Sequence, residues 1–142
     1  MGKLTKGNPA ARELVTEALD DAVWWSTLKV IVQFLYARNV EQVRVEFGFV
    51  LDLDLEAKPQ GQSEIVRLSD LESFIKRGLD EGTIEWAGMS DFLFHPIGAE
   101  VAFMLCNDAD LHFASADSSL LSELGNKISS SGIKVYDSGR LI

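Results

Sequence analysis

Across the 49 residues from Gly78 to Asn126 there is no lysine and no arginine, although the stretch carries nine acids. These are Asp80, Glu81, Glu85, Asp91, Glu100, Asp108, Asp110, Asp117 and Glu123. The other 13 acids balance the 13 bases of the chain, so the formal charge of −9 arises in this stretch alone. Cysteine is nearly absent as well. Cys106 stands alone, which excludes an intramolecular disulfide and suits a reducing, cytoplasmic setting. With three prolines and eleven glycines in 142 residues, collagen-like and low-complexity classes are excluded. No apolar run is long enough for a bilayer core of about 30 Å. The most apolar stretch, 23–36, is interrupted by Ser26, Thr27, Lys29 and Gln33.

Chemical motifs are also missing. There is no G-x-G-x-x-G, P-loop, G-x-S-x-G or C-x-x-C. Two histidines and one cysteine leave little material for the common metal and nucleophile arrangements. No cofactor is expected. The acidic balance disfavours nucleic acid, whose phosphates need Lys and Arg to displace counterions, and equally an anionic membrane surface. The opening residues carry Lys3 and Lys6 without an apolar run behind them, unlike a secretory signal, and Lys6 breaks the myristoylation pattern. Residues 1–7 are expected to be a flexible lead to a single domain spanning 1–142.

What is present is a hydrophobic content of 46%, enough for one compact core. Asn8-Pro9 reads as a helix start, and Leu14, Val15, Ala18, Leu19 and Ala22 share a helical face. Trp25, Leu28, Ile31, Val32 and Leu35 continue that period, so residues 9–38 form one helix or two, with Ser26-Thr27 the weak point. Asn39 before Val40 resembles a left-handed helix stop. Seven apolar residues then alternate strictly from Val43 to Leu55, predicting a long strand with a wet polar face. A bulge is expected near Gly48. Lys58-Pro59-Gln60-Gly61 suits a turn leading to a return strand near 63–68.

Ser69-Asp70-Leu71-Glu72 has the form of a capping box, opening a helix that ends at Gly78 or Gly82. Three or four strands are expected next, near 83–86, 91–95, 99–106 and 110–115, the last two as a hairpin. Asp117 or Ser118 then caps a helix with the face Leu120, Leu121, Leu124 and Ile128. Gly132 ends it before a terminal strand at 133–136. This order predicts an α+β domain: a mainly antiparallel sheet of five to six strands, with an N-terminal helix or helix pair, a middle helix and a C-terminal helix packed on it.

Two constellations could carry chemistry, and two tryptophan sites could carry contacts. Cys106, Asp108, Asp110 and His112 recur at every second position, and Asp108, Asp110 and His112 are the metal candidates if the turn keeps their phase. Otherwise they form a solvent-exposed polar face. Glu46, Asp52, Asp54 and Glu56 lie on the polar face of the long strand, where solvation is the plain alternative to acid–base work. Trp24-Trp25 places one indole in the core and the other at its margin. Trp86 beside Glu85 is an interface anchor or a core aromatic.

The charge asymmetry favours a small protein-binding module that docks a basic partner through the 78–126 surface, as an inhibitor or immunity-type protein would. The residues expected at that surface are Asp80, Glu81, Glu85, Trp86, Asp91, Asp108, Asp110 and His112. One alternative is a small metal-dependent enzyme using Asp108, Asp110 and His112. A second is a structural subunit that self-associates, as a homodimer, through Trp24 or Trp25 and an unpaired strand edge.

Overall fold

A computed structural model of the chain describes residues 12–47, 62–82, 92–105 and 109–137. The elements run β1 (Arg12–Thr16), α1 (Asp21–Ala37), β2 (Gln42–Phe47), β3 (Gln62–Arg67), a 3-10 turn (Leu68–Asp70), α2 (Leu71–Glu81), β4 (Phe92–Pro96), β5 (Ala102–Leu105), β6 (Leu111–Ser115), α3 (Ser118–Ser129) and β7 (Val135–Asp137). Seven strands form one sheet in the order β3-β2-β4-β5-β6-β1-β7. Every neighbouring pair is antiparallel. The α+β class is as predicted, with one strand more than expected.

That extra strand is β1. The helical reading of Leu14 and Val15 is corrected: these residues are extended and fill the gap between β6 and β7. Asp20 explains the later helix start, because its extended backbone lets Oδ1 accept the Val23 amide at 2.9 Å. From there α1 runs unbroken, and Ser26 and Thr27 return their hydroxyls to the Val23 carbonyl without interrupting it. The helix closes on Asn39 at φ 65°, with amide bonds from Asn39 to Tyr36 and from Val40 to Leu35. This is a Schellman motif with Val40 buried behind it, as the sequence suggested.

The capping box did not form. Leu68 is buried and its amide bonds the Glu41 carbonyl, which draws 68–70 into a 3-10 turn. Ser69, the capping residue of the expected box, falls inside that turn, and Asp70, which takes its place before α2 at φ −103°, ψ −1°, makes no side-chain cap bond. Of the two expected ends of α2, the helix takes the later one, with Gly82 left-handed at φ 79°. Asp80 and Glu81 therefore stand at its negative pole.

β2 spans six residues, and the rest of the long alternating run lies outside the described residues, as do the expected bulge, turn and first strand at 83–86. Asp117 caps α3 by accepting the Leu120 amide, and Gly132 has φ 97° beyond its end.

The register sorts the sheet's two faces. Val43, Val45, Phe92, Phe94, Phe103, Leu105, Leu111 and Phe113 join the helix residues in one hydrophobic core. Phe94 stacks on Phe103 at 4.6 Å between ring centroids, a cross-strand contact that adds to simple burial. Ion contacts order the helices: Lys76 of α2 lies over the Trp25 ring, and Arg38 beyond α1 pairs with Glu123 of α3. Helix α1 thus lies between the other two. Among the described residues no helix is long and apolar enough to cross a membrane.

Candidate functional site

The other face of the sheet carries the chemistry. Glu46, Leu93, Met104 and His112 stand side by side across β2, β4, β5 and β6. One pleat away, Arg44 pairs with His95, Ala102 with Ala114, and Ala114 with Glu13 of β1. All of these except Arg44 are buried, so both faces of the central strands are interior. The expectation of a wet polar face on β2 is therefore corrected at Glu46, which is 1% exposed. Alternation reports polarity, and ion pairing allows polar side chains to be interior.

Two ionic clusters flank the apolar centre of this face. In the first, Glu13 Oε2 lies 2.6 Å from His112 Nδ1, and Asp110 Oδ1 lies 3.1 Å from Nε2. Each ring nitrogen thus faces a carboxylate oxygen. Where both carboxyls are ionised, a ring that donates from both nitrogens satisfies both contacts. In the second cluster, Glu46 Oε2 lies 3.3 Å from His95 Nε2 and 3.4 Å from an Arg44 guanidinium nitrogen.

A Glu–His pair can orient a general base. Here, however, the far nitrogen meets Asp110, a carboxylate and not a nucleophile, and the contact joins β1 to β6. For the metal reading of Asp108, Asp110 and His112, the structure places Asp110 at Nε2 of the ring and Glu13 on the opposite nitrogen, where it would orient the ring and not ligate the same ion. Among the described residues no group of three or more His, Cys, Asp or Glu is placed to hold a metal. Cys106 and Asp108 lie outside the described residues, as do Asp52, Asp54 and Glu56.

Of the surface residues expected from sequence, Asp80 and Glu81 are exposed on the last turn of α2. Asp110 is half-buried against His112, and His112 is interior, so neither forms an open docking patch. Glu85, Trp86 and Asp91 lie outside the described residues. Trp24 is fully buried. Trp25 is at the margin, its indole N–H donating to Asp21 and its ring beneath Lys76, so a helix neighbour covers it.

The structure brings together two acids that the sequence had not singled out as a pair. Ser115 Oγ donates to the Glu100 carbonyl and accepts the Asp117 amide. Both acids are exposed there, at the rim where β5 begins and β6 ends. The base nearest in register, Arg12 opposite Ser115, is engaged by Asp137 at 3.1 Å. No spacing rule joins positions 100 and 117; only the β5–β6 pairing does. Comparison with known families, curated proteins and solved structures finds no match for this chain.

Proposed function

We propose that the protein is a binding module that docks a basic protein partner through exposed acids of the 78–126 stretch. The observation that supports this reading most directly is the Glu100–Asp117 rim. Two carboxylate-bearing residues from a base-free stretch are held near each other by one serine hydroxyl, on ordered elements, with the neighbouring arginine already paired. Residues held by their backbone in this way lose little backbone freedom on docking, and an opposite field on the partner speeds encounter. Asp80 and Glu81 are further exposed acids of the stretch, at the C-terminal end of α2.

The test uses charge-neutral variants that spare the fold. Asp117→Asn keeps an N-cap acceptor while removing the charge, and it is combined with Glu100→Gln. Immobilised wild-type protein should retain a basic protein from its native source at low salt and release it at high salt. The double variant should retain much less. A partner held equally by both proteins, or held irrespective of salt, would refute the reading.

A further inference from the structure

The outer side of α1 reverses the sign of this acidic chain. Two grooves flank the helix there. One, of about 380 Å³, runs between α1 and α3, with Val30, Phe34 and Ala37 on its apolar side and Lys127 on its rim. The other, of about 240 Å³, lies between α1 and the start of α2, and Lys29, Val32 and Tyr36 line it. It shares Tyr36 and Ser69 with a further hollow that holds Arg67. Tyr36 is 49% exposed, among the most open large apolar side chains described.

Lys29, Arg67 and Lys127 make no ion pair among the described residues. Of the acids nearby, Glu72, which lines the same groove as Lys29, pairs with Lys76 and Glu123 pairs with Arg38, leaving Glu41 and Asp70 near Arg67. Three such cations against two acids leave a locally basic ridge on a chain of net charge −9. At physiological salt the screening length is about 8 Å, so a ligand in contact with the ridge meets these local charges more than the distant net charge.

We infer that the α1 ridge docks an acidic amphipathic helix of a partner protein. Its apolar residues seat against Val30, Tyr36 and Ala37, and its carboxylates meet Lys29, Arg67 and Lys127. Val30, Gln33 and Ala37 on one side and Lys29, Val32 and Tyr36 on the other follow the helical period, so the ridge offers about two turns of surface on which Val30, Val32, Tyr36 and Ala37 are apolar. Phosphate-dense polymers call for a denser array of bases than three around an apolar floor. A second copy of this chain would bring a further −9 towards the first. This surface is separate from the Glu100–Asp117 rim, and either proposal can fail without the other.

The test uses a fluorescent peptide of about four helical turns, with Leu at helical spacing and Glu elsewhere, and a twin in which every Glu is Lys. Anisotropy should show saturable binding of the acidic peptide alone. Its amide shifts on labelled protein should fall on 29–37 and 127–130. Combined Lys29→Glu and Lys127→Glu should weaken binding about tenfold, and Lys29→Gln with Lys127→Gln by a smaller factor, both with unchanged circular dichroism. Glu100→Gln with Asp117→Asn should bind the peptide as the wild type does. No binding, equal or tighter binding of the Lys twin, or indifference to both sets of lysine substitutions would overturn the inference. So would binding only to vesicles of equal parts phosphatidylserine and phosphatidylcholine, or dimerisation in sedimentation that the acidic peptide does not disturb.

Discussion

Strand β1 carries two ion pairs that differ mainly in burial, which makes their energies separable. Glu13 meets His112 at 2.6 Å with side chains 2% and 6% exposed, while Arg12 meets Asp137 at 3.1 Å with side chains 48% and 43% exposed. A charge-assisted hydrogen bond kept from water contributes about 1.5–3 kcal/mol, whereas an exposed pair contributes about 0.2–1 kcal/mol. Glu13→Gln, His112→Gln and the double variant form one thermodynamic cycle; Arg12→Ala, Asp137→Ala and their double form the other. The interior cycle should give a coupling of about 2 kcal/mol, and the rim cycle less than about 0.5 kcal/mol. With a urea slope of about 2 kcal/mol per molar, each interior single variant should unfold about 1 M earlier. Circular dichroism and tryptophan fluorescence, read against urea, measure both cycles. Equal couplings would refute the argument that burial sets the strength of the Glu13–His112 contact, and a coupling near zero would remove its role in joining β1 to β6.

Two further outcomes are expected. Asp117→Ala should destabilise the protein by about 1 kcal/mol in the same urea assay while Asp117→Asn stays near wild type, since only the alanine loses the acceptor for the Leu120 amide. Gly125 lies in mid-helix, where an added Cβ would stand 3.0 Å from Leu14 Cδ1, the movable end of a half-buried side chain. Gly125→Ala should therefore stay within about 0.5 kcal/mol of wild type, its helix-propensity gain offset by the contact, while Gly125→Val should lower the melting temperature by about 4 °C or more.

The sequence showed the α+β class and most elements because local signals and packing agreed there. Asn39 before Val40 closed α1, Asp117 capped α3, and the strict alternation at 43–47 became β2. It misled where packing overrode local pattern. Leu14 and Val15 fit a helical period, yet the sheet needed a strand between β6 and β7, and only the acceptor at Asp20 signalled the true helix start. Ser69-Asp70-Leu71-Glu72 had the composition of a capping box, but burial of Leu68 set a different backbone. The ionic clusters were largely illegible for a related reason. Glu13 and His112 are 99 positions apart, and nothing in either neighbourhood predicts that the strands carrying them are adjacent. Asp110 beside His112 was visible, though as an exposed pair and not as one arm of an interior contact.

The place of β1 also constrains the order in which the molecule can be completed. Arg12 pairs with Ser115, and Leu14 with Asp137, so the earliest strand of the sheet finds its neighbours only in the last third of the chain. At a synthesis rate of about 5–20 residues per second, β1 waits roughly 5–20 s for β6 to follow it. Closing such a long loop adds an entropic barrier that local hairpins such as β5–β6 escape. Until β1 returns, β6 has an open edge, and β7 has no strand to pair with. A chain paused at that stage would offer β6 as a template for a foreign strand. The buried Glu13–His112 contact thus has a second consequence, in time: it rewards the return of the right strand to that edge.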